Sequence, residues 1–185
     1  MKKLCTALIL CLVSIMAQGQ LELIGAYTSC GHQFQIYATD PQNGNFIVLI
    51  NTNGAQLAIE SENLAHFKDT LLLVREKYVE WKETAEENNI SEIKKEFPYT
   101  FPKMLVGWWT KSEELVVAED IYFTPIFYVH EGKCSMAINN DVTSPKNETK
   151  RIVWLLCSVE EFDKILSYLD AETINRLYQA RNLLK

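Results

Sequence analysis

Histidine is scarce in this chain: His32, His66 and His130 are the only three in 185 residues. A structural zinc site usually takes four Cys or His ligands. Cys30 and His32 have no second pair at a matching spacing, which points to no bound metal. Also missing are a Gly-x-Ser-x-Gly nucleophile elbow, a phosphate-binding loop, a His-Glu-x-x-His helix and a calcium loop. No cofactor is expected on those grounds. Basic charge is short as well: 18 Lys and Arg stand against 24 Asp and Glu, a net of −6. An acidic chain repels phosphate backbones and anionic membrane surfaces, which argues against nucleic acid as a partner. Past the N-terminus no run of about 18 apolar residues occurs, so no later segment would span a bilayer. Internal repeats, low-complexity tracts and long linkers are absent too.

The N-terminus has a different composition. Met1-Lys2-Lys3 is a short positive start, residues 4–17 carry no charge, and Ala17-Gln18-Gly19 ends the run with small residues flanking one position. Those are the three parts of a secretory signal peptide. The apolar run is too short for a membrane span, which needs roughly 20 residues. Residues 1–19 are therefore expected to be removed before Gln20, leaving 20–185 as a single globular domain. Cys11 follows Leu8-Ile9-Leu10, a poor fit to a lipid-anchoring signal. The segment resembles those of proteins exported by Gram-negative bacteria, the Bacteroidetes especially. That resemblance covers the signal alone and implies a periplasmic or secreted location. About 166 residues remain, enough to bury a core without metal or disulfide staples. Losing Lys2 and Lys3 leaves 16 basic against 24 acidic residues, a net of −8.

The mature chain reads as strands, a long helix, then strands again with helices at the end. Phe34, Ile36 and Ala38 alternate with Gln33, Gln35 and Tyr37, the period of a half-buried strand. Turn residues follow at 40–44, then a wholly apolar run at 46–50, a hairpin signal at Asn53-Gly54 and a return strand at 55–60. From 61 to about 88, Leu64, Phe67, Leu71, Val74, Tyr78, Trp81 and Ala85 recur at spacings of 3 and 4. Ala65, Leu72 and Val79 widen that stripe, which favours a helix packed across a sheet over a coiled-coil seam. Residues 90–95 read as a helical turn or loop, and 96–102 as extended because of its prolines. Further strands are expected at 104–109, 115–117, 121–130, 133–138 and 151–157, with Pro125 marking an edge or bulge and a polar loop at 139–150. Ser158-Val159-Glu160-Glu161 is a capping box opening a helix with Phe162, Ile165, Leu166 and Leu169 apolar. Asp170 would cap another, with Ile174, Leu177, Tyr178 and Leu184 apolar. The expected fold is α+β: a single antiparallel sheet of about seven or eight strands (meander, long helix, second meander), with the long helix and C-terminal helices packed on it.

Signal removal leaves Cys30, Cys134 and Cys157, an odd number that allows one bridge at most. Cys134 and Cys157 fall on strands flanking the 139–150 loop and could form a disulfide; two buried thiols are the alternative. Cys134 alternates with Met136 and Ile138, the setting of an inert buried cysteine rather than a nucleophile. No catalytic residue is assigned. The remaining unusual feature is aromatic density. Tyr99, Phe101, Trp108 and Trp109 are the candidate ligand-binding residues, since aromatics exposed beside a sheet mark recognition surfaces. Trp108 and Trp109 must point to opposite faces of a regular strand, so one enters the core. The first functional expectation is a non-catalytic binding or interaction domain whose partner is a protein or small ligand. Alternatives are a small periplasmic hydrolase with a site assembled only in the fold, and a structural subunit of a homodimer. Either a monomer or a homodimer fits the sequence.

Overall fold

The computed structural model describes residues 21–42, 44–52, 54–110 and 112–183. The expected signal at 1–19 and the cleavage before Gln20 lie outside these residues, as do Asn53 of the hairpin signal and Leu184 of the last apolar face.

The described residues form ten strands and three helices. The strands are β1 (Glu22–Ser29), β2 (His32–Ala38), β3 (Ile47–Asn51), β4 (Gln56–Glu60), β5 (Glu92–Glu96), β6 (Met104–Trp109), β7 (Leu115–Ile121), β8 (Ile126–His130), β9 (Lys133–Thr143) and β10 (Thr149–Leu156). The helices are α1 (Ser61–Glu87), α2 (Val159–Leu166) and α3 (Ala171–Asn182). The α+β class and antiparallel pairing are as expected, but the single sheet is not. Six strands run β1-β2-β3-β4-β6-β7, and four form a separate sheet in the order β10-β9-β8-β5. The break falls at residues 122–125. Pro125 has no N–H to give a ladder. β7 and β8 therefore do not continue one another, and the chain crosses between sheets. Phe97 and Phe101 hold that crossing by donating their amides to the carbonyls of Pro125 and Phe123.

Helix α1 is the element both sheets share. Leu64, Phe67, Leu71, Val74, Tyr78 and Ala85 are buried, and Trp81 packs against the same core. Phe67 stacks on Phe101 at 4.7 Å and on Trp154 of β10 at 6.1 Å. Tyr78 meets Phe127 of β8 and Phe162 of α2. The heptad-like stripe is thus buried inside its own chain. It is also narrower than expected: Ala65 and Leu72 are exposed and Val79 is half-buried, because the 3-4 row, with Thr70 beside it, is what points into the core. The helix stops where Asn89 takes a positive φ of 51° and Ile90 donates to the carbonyl of Ala85, a left-handed C-terminal cap.

Three strand segments departed from their local pattern. β1 carries no clean alternating pattern, because a bulge between Leu23 and Gly25 breaks its period. Gly25 has a second role: a Cβ there would come within 2.5 Å of the Tyr168 ring. β5 replaces the expected turn at 90–95. Every residue in it is exposed, so no burial period marks it, and its pairing with β8 holds it in place. Charged residues along such an edge discourage pairing with another chain. The expected 139–150 loop is mostly strand. Arg151 bridges Asn139 and Asp141 across the pair, and the hydroxyls of Thr143 and Thr149 meet at 2.9 Å. Such cross-strand contacts override the turn propensity of Asn and Asp.

Ser158 caps α2 by accepting from the Glu161 amide, and Asp170 caps α3 by accepting from Thr173. Glu161 does not return the bond to Ser158. It accepts instead from the Cys157 amide and the Ser29 hydroxyl, which ties α2 to the end of β1.

Candidate functional site

The four aromatic candidates separate. Phe101 is fully buried on Phe67, Trp108 is buried, and Tyr99 is half-buried against the same core. Trp109 alone stands in solvent, 54% exposed. Residue parity explains the split. Trp108 lies opposite Val116 on the covered face of the six-stranded sheet, and Trp109 lies opposite Leu115 on the outer face.

That outer face carries an ordered row. Gln35 on β2 pairs with the position next to Ile50 in the ladder that matches Ile36 to Ile50, which places it opposite Asn51. Asn51 pairs with Gln56, and Gln56 with Gly107. Three side-chain amides and a glycine thus lie side by side across four strands, at a strand spacing of roughly 4.8 Å. The Tyr37 hydroxyl donates to Gln35 Oε1 at 2.8 Å, and Asn51 Nδ2 approaches the same oxygen at 3.5 Å. Gln35 is therefore held by two donors, with its own NH2 directed elsewhere. Among the described residues the side chains of Gln33 and Gln56 hydrogen-bond to nothing.

The row sits where the sheet has a notch. Asn51 and Gln56 are the last pair before the β3–β4 hairpin. On either side the flanking strands run further, β2 back to Gln33 and β6 on to Trp109. Because β2 and β6 are antiparallel, those two residues project toward the same end of the sheet. The result is a groove of about 480 Å3 with Gln33 and Trp109 as its shoulders. At the hairpin, Gly54 has a φ of 79°, and a Cβ on it would come within 2.9 Å of Lys150 Nζ. Lys150 is the one charged side chain among the described lining residues. Deeper on the same face Leu49, Ala58 and Leu105 form a small buried apolar cluster.

The three cysteines meet elsewhere, in a cleft of about 670 Å3 between α1, the β1–β2 turn and the β8–β9 turn. Cys157 bonds to Cys30, with a Cα–Cα distance of 6.1 Å, and Cys134 is free. The candidate Cys134–Cys157 bridge is thereby corrected. Leu156 pairs with Met136, so the ladder would set Cys157 opposite Ser135, and the chain leaves the strand there toward α2. The β1–β2 turn arrives at that point, held by the Ser29–Glu161 bond. The Tyr78 hydroxyl donates to the carbonyls of Cys134 at 3.2 Å and Cys157 at 3.0 Å, joining the two cysteine main chains.

This cleft does not assemble a nucleophile. Burial pushes the Cys134 thiol up, and Glu86 adds to the shift, so the thiolate is disfavoured. Val129 pairs with Cys134 and His130 with Lys133, so His130 and Cys134 project from opposite faces of the hairpin. His130 turns outward to Glu92, 3.0 Å away and largely in solvent. The Glu92 carboxyl is held below the usual range first by the Glu131 amide and then by His130. His32 and His66 are exposed. Among the described residues no cluster of His, Cys, Asp and Glu could hold a metal ion. A third concavity, of about 770 Å3, lies beside the N-terminal half of α1, where Lys68 and Asp170 pair with each other at 3.4 Å.

The amide row was within reach of the sequence in part. Gln33 and Gln35 stand out as the polar half of an alternating strand, but their alignment with Asn51 and Gln56 depends on strand register. Comparison with protein-family models, with curated proteins and with solved structures finds no match for this chain.

Proposed function

We propose that this chain is an exported, non-catalytic binding domain that meets its ligand at the Trp109 end of the six-stranded sheet's outer face. The observation that carries the reading is the conjunction at one notch of an exposed indole and a row of uncharged amides. A large exposed aromatic next to unpaired donors and acceptors offers both apolar contact and orientation to a ligand. Export has its own support in the N-terminal pattern and in the Cys30–Cys157 disulfide, a bond that persists in oxidising compartments such as the periplasm or outside the cell. The hydrolase alternative has weaker support, since the one free thiol is disfavoured as a thiolate and His130 faces away from it.

Tryptophan emission of the purified protein, titrated with cell-envelope extract, tests the reading. A saturable change that disappears in Trp109→Ala is expected. An unchanged spectrum at every extract concentration, or a change that Trp109→Ala retains in full, would overturn it.

A further inference from the structure

The lining of the groove narrows the class of ligand. Among its described residues it has no carboxylate, so it offers nothing to a metal ion or a cationic peptide. Lys150 is its single cation, too little to hold a polyphosphate on a domain whose charge is negative overall. Its apolar side chains among the described lining residues are Ala55, Trp108 and Trp109, and the first two are buried, so it has no open socket for a peptide's aliphatic anchor. What it does present is amide after amide. Each side-chain amide carries two donors and an acceptor with two lone pairs. That set suits adjacent hydroxyl groups, each of which donates and accepts at once. The indole of Trp109 presents a flat face of the kind that stacks on the C–H side of a pyranose ring. Gly107 keeps the floor beside Gln56 free of any side chain. The spacing of the row is that of neighbouring strands, roughly 4.8 Å, close to the length of one pyranose unit.

We propose that this notch is a subsite for a neutral oligosaccharide, laid across the strands with one ring stacked on Trp109 and its hydroxyls shared among Gln33, Asn51 and Gln56. Gln35, fixed by Tyr37 and Asn51, is the positioning residue that sets the row's orientation. The inference rests on the reading of this face as the binding face.

The test is a titration of purified protein with cello-, xylo-, malto-, manno- and chito-hexaose, and with polygalacturonate as an anionic control, followed by tryptophan emission and calorimetry. At least one neutral hexaose should bind saturably. Trp109→Ala should weaken it tenfold or more and Gln56→Ala several-fold, while Trp109→Tyr retains part of the affinity. Far-UV circular dichroism and melting temperature show whether each variant is folded; Trp109 is exposed and Gln56 half-buried at the end of its strand, so both substitutions are expected to leave the fold in place. Binding of no neutral hexaose, or equal binding by wild type and Trp109→Ala, overturns the proposal. Envelope extract treated with periodate, which cleaves vicinal diols, separates this failure from failure of the binding reading. A Trp109-dependent response that survives periodate but not protease rejects the carbohydrate and keeps the binding face. No Trp109-dependent response to any extract rejects both.

Discussion

At the scale of residues, the covalent cross-link is Cys30–Cys157, which closes a sequence separation of 127. Cross-links of that span restrict the unfolded chain most in the loop-entropy view, and native ones typically contribute about 2–5 kcal/mol. Cys30→Ser with Cys157→Ser should lower stability by about that amount in urea melts, whereas Cys134→Ser should leave the bridge in place. Peptide mapping without reductant should recover Cys30 linked to Cys157 and an alkylated Cys134; a Cys134–Cys157 peptide as the main species would contradict this pairing. Asp170 acts through a cap. Its carboxyl lies below the usual range, first because the Thr173 amide donates to it and then because of Lys68. A carboxylate depressed in the folded state adds stability above its unfolded pKa, and that stability is lost as pH falls through the folded value. Asp170→Ala should therefore cost about 1 kcal/mol at neutral pH, and the difference from wild type should fade as acid titrates the group. A difference that stays constant down to the acid limit would show that charge plays no part.

At the scale of elements, α1 separates residues that look alike in the sequence. Phe67 is fully buried between Phe101 and Trp154, while Leu72 and Leu73 are 38% and 44% exposed. Removing a large aromatic from such a site loses its transfer energy and leaves a cavity, so Phe67→Ala should cost about 3–5 kcal/mol. Leu72→Ala and Leu73→Ala should stay within about 0.5 kcal/mol, as surface changes do. Shifts of the urea midpoint measure all three, and a large loss at Leu72 would mean that the outer side of α1 is covered in solution. The same element shows how far pattern reading reaches. The 3-4 spacing located the helix to within a residue at its C-terminal end, because that period is a local property of one chain segment. The width of the buried stripe is not local, since it depends on how closely two sheets approach the helix.

At the scale of the whole molecule, export and oxidation belong together. Intact mass from the envelope or culture fraction is expected to begin at Gln20 and to carry one alkylatable thiol. A retained Met1 with all five cysteines reactive as thiols would place the protein in a reducing compartment and remove the support for export. The two-sheet arrangement belongs to this scale too. α1 packs against strands of both sheets within one core, so its stripe is buried within its own chain.

The sequence by itself determined the N-terminal pattern, the α+β class, α1, the caps at Ser158 and Asp170 and the opposed directions of Trp108 and Trp109. Each of these rests on the period or chemistry of a few adjacent residues. Only the tertiary structure decided that ten strands divide into two sheets, that β1 and β5 exist, that Cys157 finds Cys30 rather than Cys134, and that Gln35, Asn51 and Gln56 line up beside Trp109. Those outcomes depend on strand register and on which edges meet, and register is a relation between distant segments that neither segment records alone.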